Sequence, residues 1–299
     1  AIPILLGDKE TILDLKEELE FEADVQIIDL QTGESAKKRK EYAEKHWEAR
    51  RRKGVTLYNA KSRMRERNYF GAMMVCEGDA DGMISGYSKA YPRVVTPVFE
   101  VIGMATGVKR VATVNIMNTQ RGPMFLADTS INIDPNAEEI AEIAQMTANV
   151  AATFGFVPVL ALASYANFGS SSHPHAKKVR EAVQILHEQN PELVVDGEVQ
   201  IDFALNQDLH KSTFPFSKLA GKRVNTLIFP NLESANITYK LLKELNSSDS
   251  IGPIMVGLKK SVHVMQLGAS VDEIVNMAAV AAIDAQEREK RKRAKSGKQ

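Results

Sequence analysis

Cysteine is nearly absent from this sequence: Cys76 is the only one among 299 residues. A lone thiol cannot close a disulfide within the chain, so a disulfide framework is excluded. Chains without disulfides are typical of reducing compartments. Because no secretory signal is visible at the start of the sequence either, we expect a cytoplasmic protein.

Long apolar runs and an excess of charge of one sign are also lacking. No segment approaches the roughly 18 apolar residues that a membrane-spanning helix needs. Lys plus Arg and Asp plus Glu number 38 each, so no overall positive field favours nucleic acid. Basic residues cluster in 37–52 and 288–298, but such runs are usually solvated surface. We therefore expect neither a membrane nor a nucleic acid as a partner.

The motifs of common nucleotide and metal sites are absent as well. No G-x-G-x-x-G motif follows a predicted strand, no Walker pattern occurs, and no carboxylates are spaced for a metal. We therefore expect no cofactor in this part of the polypeptide. The chain starts without methionine and enters a strand at once, in Ala1-Ile2-Pro3-Ile4. Our interpretation is that it belongs to a longer polypeptide.

The sequence does contain a steady alternation of β-branched apolar runs with amphipathic segments. The apolar runs predict strands at 2–6, 25–29, 72–75, 111–116, 125–127, 157–162, 224–229 and 253–256. The amphipathic segments predict helices at 10–18, 38–51, 137–154, 176–188, 234–245 and 271–286. This alternation indicates an α/β fold with mostly parallel strands, in two sheets.

The last predicted helix has a strong start signal but little reactive chemistry before it. Ser270 and Glu273 have the spacing of a capping box, and the free amides of a helix start suit an anion. The turn before them, Gln266-Leu267-Gly268, supplies only an amide and an aliphatic side chain.

The loop at 76–86 carries Asp79, Asp81 and three glycines after the strand predicted at 72–75. Ligands of α/β proteins bind at the carboxyl ends of strands, which favours a binding loop. The same residues are ordinary turn formers, which favours a turn without a ligand. Both interpretations remain open, with the turn preferred.

The segment after the strand predicted at 125–127 combines helix-cap candidates with candidate ligand groups. Asp134 and Asn136 are candidates for the N-cap of helix 137–154. No such structural role is evident for Asp128, Thr129 and Asn132, and we interpret these three as ligand-binding residues.

Hydroxyl groups follow the strand predicted at 157–162. Ser164, Asn167, Gly169, Ser170 and Ser171 precede a helix, and hydroxyls with backbone amides in that place can cradle a phosphate. His173 and His175 lack a metal-binding pattern and are predicted to be exposed.

Three acidic residues alternate along the segment at 196–205. Asp196, Glu198 and Asp202 are predicted on a strand, where they either line a cleft or pair with arginines.

Together these segments resemble the phosphate acetyl/butyryl transferase family. The similarity covers residues 7–285, and its segments occur in the family's order, which is specific although each segment alone is weak. The segments are Gly78-Asp79-Ala80-Asp81-Gly82-Met83-Ile84-Ser85-Gly86, Ala127-Asp128-Thr129, Asp134-Pro135, Leu162-Ala163-Ser164-Tyr165, Asp196-Gly197-Glu198, Ile228-Phe229-Pro230-Asn231-Leu232, Gly252-Pro253 and Ile274-Val275-Asn276.

The resemblance implies two three-layer α/β domains of the isocitrate/isopropylmalate dehydrogenase type. The first would comprise 1–112 and 246–299, and the second, at 113–245, would form a dimer or a higher homo-oligomer. Apolar positions over more than one face of helix 137–154 also favour a second partner surface. In the cleft between the domains we expect these ligand-binding residues: Asp128, Thr129, Asn132, Ser164, Asn167, Gly169, Ser170, Ser171, Gln266 and Glu273.

The chain departs from the family at positions where active members carry catalytic groups. Active members read Ser-Arg-Gly where this chain has Gln266-Leu267-Gly268, and an arginine where it has Thr96 before Pro97. Another arginine of many members falls near Lys243-Glu244-Leu245. Acetyl phosphate is anionic, and guanidinium donors stabilise the charge that develops during transfer. We therefore predict no catalytic residue here.

One branch that the chain resembles shares these departures: the C-terminal phosphotransacetylase-like domain of bacterial NADP-dependent malic enzymes. Segments 164–171, 261–279 and 282–286 carry this similarity. It implies N-terminal catalytic domains in the same chain that oxidise malate to pyruvate with NADP and a divalent metal, Mg or Mn. It also implies acetyl-CoA, or a related metabolite, as an allosteric effector. The alternatives are an active phosphate acetyltransferase, which makes acetyl-CoA and phosphate from acetyl phosphate and CoA, and a structural dimerisation domain.

Overall fold

The structure is a computed structural model that describes residues 1–89, 91–246 and 250–296. In chain order its elements are β1 (Ile4–Leu6), α1 (Lys9–Glu18), β2 (Gln26–Ile28), α2 (Ala36–Arg50), α3 (Leu57–Arg63), α4 (Arg67–Glu77), β3 (Gly82–Ser85), α5 (Tyr91–Val101), β4 (Ala112–Thr119), β5 (Gly122–Ala127), α6 (Ala137–Thr153), β6 (Val159–Ala163), α7 (Pro174–Gln189), β7 (Val194–Val199), α8 (Ile201–Leu205), α9 (Gln207–Thr213), β8 (Thr226–Ile228), α10 (Leu232–Asn246), β9 (Ser250–Val256), β10 (Ser261–Val264) and α11 (Val271–Ser296).

The chain folds as two compact units, each built from separate stretches of sequence. The first contains Ala1–Gly103, Lys259–Gly268 and the chain from Ala278 onward, and the second contains Met104–Leu258 and Ala269–Met277. The sequence analysis had placed the boundaries after residues 112 and 245. They fall elsewhere because β9 pairs with β4 and so belongs to the second unit.

The second unit is organised around one sheet. Among its described residues the strand order is β7-β6-β8-β5-β4-β9, in which β5, β6, β7 and β8 are mutually parallel and β4 is antiparallel to both neighbours. Helices cover both faces: Leu126 belongs to the same core cluster as Tyr239 of α10, whereas the ring of Phe125 lies 5.7 Å from that of Phe156, just after α6. The mixed α/β architecture with parallel-dominated sheets is as predicted.

The first unit contains two short parallel sheets. β1 pairs with β2, and β3 pairs with β10. Its largest fully buried rings are Tyr42 of α2 and Phe70 of α4, whose centroids are 5.0 Å apart. Among the residues described, no helix combines the length and the hydropathy needed to cross a membrane.

The strand predicted at 72–75 is wrong, because these residues lie inside α4. Every position from Asn68 to Val75 is buried, so this part of the helix shows no polar face in its sequence. A fully buried helix and a buried strand have the same apolar pattern over so short a run. The helix ends at Gly78, whose φ of 85° caps it in the left-handed region.

The wide apolar arc of α6 is covered within the second unit. Its buried residues contact α7 on one side and strands of the sheet on the other. Most of the arc therefore has a partner inside the unit, whereas Met146 and Val150 are half-buried, and dimerisation stays a prediction.

A buried histidine in the first unit predicts a dependence of stability on pH. His263 of β10 is fully buried, with Nε2 3.3 Å from Ser261 Oγ and 3.8 Å from Asp284 Oδ2 of α11. Burial lowers the pKa of His263 to about 4, and the nearby Arg288 adds to the shift, whereas Asp284 opposes it. Between pH 6.5 and about 4 the unfolded chain therefore binds more protons than the native one.

We expect the free energy of unfolding to fall by up to about 1.4 kcal/mol per pH unit as pH is lowered through this window. Urea unfolding at pH 7, 6, 5 and 4 measures it. The variant His263→Gln should lose this part of the pH dependence, and the exposed-site control His175→Gln should keep it. Equal slopes for the original protein and His263→Gln would contradict the assignment.

Candidate functional site

The candidate site lies along one edge of the sheet in the second unit. Because β5, β6, β7 and β8 are parallel, their carboxyl ends share this edge, here called the carboxyl edge. Ligands of open α/β sheets bind at such an edge. Its loops are joined by backbone hydrogen bonds: Phe229 N–H donates to Ala127 O at 2.8 Å, and Leu232 N–H donates to Ile133 O at 3.0 Å.

Asp128, the first residue after β5, is buried and accepts hydrogen bonds on both carboxylate oxygens. Oδ1 accepts from the N–H of Thr113 at 2.9 Å, from its hydroxyl at 2.6 Å, and from Ser130 N–H at 3.2 Å. Oδ2 accepts from Asn132 N–H at 2.7 Å and from its side-chain amide at 2.6 Å. The carboxylate thus ties the start of β4 to the loop after β5.

Thr129 and Asn132 belong to the same buried network. Asn115 Nδ2 donates to Thr129 Oγ1 at 2.6 Å, and Asn132 Nδ2 also donates to Val111 O at 3.0 Å. The assumption that Asp128, Thr129 and Asn132 have no structural role is therefore wrong. Their polar groups hold the loop, and a role in ligand binding stays a prediction.

The loop at 164–171 is held by an ion pair between the buried Glu198 and the partly exposed Arg180. Glu198 of β7 is fully buried; its Oε1 accepts from Arg180 Nη2 of α7 at 2.7 Å and from Gly169 N–H at 2.8 Å. Burial alone would raise the pKa of Glu198, but the hydrogen bonds from Arg180 and Gly169 outweigh it and hold the pKa below its usual range. Glu198 is therefore an ionised carboxylate, and it positions the loop.

The remaining groups of this loop bond to one another or to the next loop. Asn167 and Gln200 pair through their side chains at 2.8 Å, and Gln200 N–H donates to Asn167 Oδ1 at 2.8 Å. Ser170 Oγ accepts from Asn167 N–H at 2.9 Å, and Ser164 Oγ accepts from Ala166 N–H at 3.3 Å. These hydroxyls act as acceptors within the loop, so each keeps its own proton for another acceptor.

Of the three acidic residues at 196–205, one pairs with an arginine and two do not. Glu198 is bound to Arg180, as one of the two sequence interpretations held. Asp196 accepts from the Ser217 hydroxyl at 2.8 Å and from Lys218 N–H at 2.8 Å. Asp202 is not on a strand, because β7 ends at Val199 and the residue lies in α8.

The lysines near the loop are engaged by carboxylates. Lys178 Nζ lies 2.5 Å from Asp134 Oδ1 and 3.1 Å from Pro230 O, and so connects two loops of the edge. The Lys178 ammonium lowers the pKa of Asp134. Lys177, which is more exposed, lies 3.7 Å from Glu181. The cap of α6 is Asn136, whose capping box with Glu139 is complete.

Glu273 lies apart from the loops of the carboxyl edge. The predicted capping box is confirmed: Ser270 N–H donates to Glu273 Oε2 at 2.9 Å, and Glu273 N–H donates to Ser270 Oγ at 3.1 Å. Glu273 Oε1 accepts from Lys243 Nζ at 2.6 Å. Lys243 is about three turns along α10, which begins at the edge, so the pair sits roughly 16 Å further down the helix.

Gln266 belongs to the first unit and lies directly after β10. Leu267 beside it is 64% exposed. An aliphatic side chain in contact with water offers nothing to an anionic group.

The loop at 76–86 follows α4, so its placement at the carboxyl end of a strand is wrong. Asp79 accepts a hydrogen bond from the Tyr42 hydroxyl and pairs with Lys38 at 2.8 Å. Asp79 thereby ties the loop to α2, and its surroundings match the interpretation as a turn. Within 1–89, 91–246 and 250–296, no three His, Cys, Asp or Glu side chains form a group that could hold a metal.

Several residues of the edge were missed by the sequence analysis. They are Thr113 and Asn115 of β4, Arg180 of α7, and Gln200. Thr113 lies fifteen residues before Asp128, and Arg180 lies eighteen residues before Glu198, so no local pattern connects these pairs. Only the interpretation that Glu198 pairs with an arginine pointed to one of them.

Comparison with known proteins gives a family and two kinds of relative. The family profile described as "Phosphate acetyl/butaryl transferase" matches residues 1–282. An NADP-dependent malic enzyme of Haemophilus influenzae is 37% identical over 96% of this chain, which spans only 38% of that protein's length. A phosphate acetyltransferase of Thermoanaerobacterium thermosaccharolyticum is 38% identical over 95% of this chain and 87% of that protein.

The fold has close counterparts among solved structures. A phosphotransacetylase from Streptococcus pyogenes superposes with a TM-score of 0.86 at 37% identity, over 96% of this chain and 86% of that one.

The Asp128 network predicts a strong effect of a single-atom change. Asp128→Asn replaces one acceptor by an amide that faces buried donors, so we expect a loss of about 3 kcal/mol in the free energy of unfolding. Asp134→Asn changes the same groups at an exposed carboxylate and should cost less than about 1 kcal/mol. Urea unfolding followed by circular dichroism measures both. Similar losses in the two variants would show that the network does not stabilise the unit.

Proposed function

The chain belongs to the phosphate acetyl/butaryl transferase family, and from this premise we propose that it binds acetyl-CoA as the regulatory part of a longer malic enzyme. In this proposal the thioester or phosphate oxygens of the ligand meet the hydroxyl loop at the carboxyl edge of the second unit. The domain itself transfers no acyl group.

The proposal rests on the hydrogen bonds that the serine hydroxyls of the loop at 164–171 make. Ser164 and Ser170 accept hydrogen bonds from backbone N–H groups of their own loop, so their protons can be donated to an anionic oxygen. The Gly169 amide, expected to contact the ligand, donates to Glu198 instead. Binding is thus assigned to hydroxyls on a loop that the ion pair of Arg180 with the buried Glu198 holds in place, which lowers the entropy cost of binding.

Two features of the chain support binding without turnover. The carboxylates of the edge are occupied, Asp128 by its network and Glu198 by Arg180, so neither is placed to take up a proton. The positions at which active family members are expected to carry hydroxyl or cationic groups hold Thr96, Glu244, Gln266 and Leu267. Loss of one such donor typically lowers a rate by a hundredfold or more.

The malic enzyme activity is assigned to residues outside this chain. The chain spans 38% of the length of the malic enzymes that it matches, which leaves room for N-terminal catalytic domains. Malate oxidation with NADP and a divalent metal would belong to those domains, and acetyl-CoA bound here would act on them.

An active phosphate acetyltransferase is the second candidate. One observation favours it: the chain is 38% identical to a phosphate acetyltransferase and spans 87% of its length, whereas its identity to a malic enzyme is 37%. In that case other residues would have to supply the cationic groups that the expected positions lack.

Calorimetry with acetyl-CoA on the 299-residue chain tests the binding site. We expect saturable binding that Ser170→Glu weakens at least tenfold, because the added carboxylate repels the anionic ligand. Asn149→Glu adds the same charge to an exposed position of α6, about 18 Å along the helix from the edge, and should leave binding unchanged. In the longer protein Ser170→Glu should also remove the effect of acetyl-CoA on malate oxidation.

A coupled assay with acetyl phosphate and CoA separates the two candidates. We expect no turnover above background. A turnover rate in the usual enzyme range of about 1–1000 per second would contradict the regulatory proposal and show that the chain is an active transferase. If acetyl-CoA does not bind, or if both acidic variants weaken its binding equally, the carboxyl edge is not the binding site.

A further inference from the structure

An exposed aromatic ring lies beside the loop at 164–171 in the second unit. Phe216 is 71% exposed, although its ring belongs to a cluster with Phe168, Phe203, His210 and Phe214. The other four side chains of this cluster are buried or half-buried. A single exposed apolar side chain needs no special explanation by itself. Phe216 differs because both its ring and its backbone are held in place.

The backbone around Phe216 is fixed by Asp196 of β7. Asp196 Oδ2 accepts hydrogen bonds from the Ser217 hydroxyl and from Lys218 N–H, both at 2.8 Å. Ser217 is buried, and its own N–H donates to Phe214 O at 3.0 Å. The turn that presents the ring is therefore ordered before any ligand arrives, and a preorganised contact loses little conformational entropy on binding.

The aromatic cluster also connects this ring to the loop at 164–171. The Phe168 ring lies 5.2 Å from the Phe216 ring at an interplanar angle of 80°, and the Phe214 ring lies 6.0 Å away at 70°. Both contacts are nearly perpendicular, and they leave most of the Phe216 side chain open to solvent. Ser170 follows Phe168 by two residues, which is at most about 7 Å of chain. The open ring and the serine hydroxyls thus lie closer together than the ends of an extended coenzyme A molecule.

On the premise that acetyl-CoA binds at the carboxyl edge, we propose that Phe216 stacks on the adenine ring of the coenzyme. The phosphate groups next to the adenine then meet the hydroxyls of Ser164 and Ser170. Aromatic side chains attract bases because both have flat apolar faces that leave water when they stack. The adenine is the one aromatic ring of acetyl-CoA, so the position of Phe216 also fixes the orientation of the ligand.

This orientation determines which compounds the site recognises. The nucleotide end of the coenzyme lies at the loop, and the thioester extends away from the two serines. Compounds with adenine and phosphates, such as CoA and ADP, share the recognised end. Acetyl phosphate has no ring for Phe216 and lacks this contact. The site therefore selects adenine-containing compounds and tolerates different acyl groups.

Calorimetry with acetyl-CoA on variants of the 299-residue chain tests the stacking. Phe216→Leu keeps an apolar side chain but removes the flat ring, whereas Phe216→Tyr keeps the ring. We expect Phe216→Leu to weaken binding about fivefold or more, because loss of a base–ring stack costs at least that much. Phe216→Tyr should bind like the original chain. Urea unfolding of both variants checks that the fold is retained.

A second exposed ring of the same unit provides the matched control. Phe156 is 37% exposed and follows α6, whose 17 residues place it about 25 Å from the carboxyl edge. Phe156→Leu should therefore leave the affinity for acetyl-CoA unchanged.

Shortened ligands separate stacking from a general disturbance of the site. Acetyl-phosphopantetheine lacks the adenosine, and we expect Phe216→Leu and the original chain to show no difference in binding it. ADP keeps the nucleotide end alone, and it should displace acetyl-CoA from the original chain. Equal weakening of acetyl-CoA and acetyl-phosphopantetheine by Phe216→Leu would contradict the stacking.

Three further results would overturn the proposal. If Tyr165→Leu weakens acetyl-CoA binding and Phe216→Leu does not, the adenine lies on the other exposed ring of the loop, and the proposed function stands without this contact. If Phe216→Leu reduces self-association in sedimentation but leaves the affinity unchanged, the ring contacts a second copy instead. If the original chain binds no acetyl-CoA, the proposed function fails together with the stacking.

Discussion

The carboxylate of Asp128 is the group on which the order of the carboxyl edge depends. A buried carboxylate is costly unless hydrogen bonds replace its water, and here donors from β4 and from the loop after β5 supply them. These donors are themselves buried and would lose their partner if the carboxylate were removed. The strand pairing, the loop conformation and the hydrogen bonds of Asp128 therefore stabilise one another.

Glu198 likewise holds the loop at 164–171 in place, but its charge is balanced by a cation. It is matched by the guanidinium of Arg180, so the pair carries no net charge into the interior. Its hydrogen bond from Gly169 N–H links this ion pair to the backbone of the hydroxyl loop. Two buried carboxylates thus fix two loops, and the Ser164 and Ser170 hydroxyls of the second loop accept hydrogen bonds from its own backbone.

The sequence predicted the parts of this arrangement that depend on neighbouring residues. The capping boxes of Ser270 with Glu273 and the cap at Asn136 follow from spacings of three residues, and both are present. The α/β architecture followed from the alternation of apolar and amphipathic segments. The helix at α4 was not predicted because its residues are buried all round, so no periodicity remained to separate it from a strand.

The functions of Asp128 and Glu198 depend on partners that are far away in the sequence, and no local sequence pattern shows such contacts. Thr113 precedes Asp128 by fifteen residues, and Arg180 precedes Glu198 by eighteen, on separate elements in both cases. A polar residue at the end of a strand can bind a ligand or hold a loop, and only the positions of its partners separate the two. Asp128, Thr129 and Asn132 hold a loop in this structure, and their role in ligand binding stays a prediction.

The pairing of strands in the first unit shows the same limit of sequence patterns. The short strands β1 and β3 have apolar sequences typical of a buried parallel sheet, yet each is paired on one side only within the described chain. A sequence pattern shows that a strand suits burial, but it does not show which segment buries it.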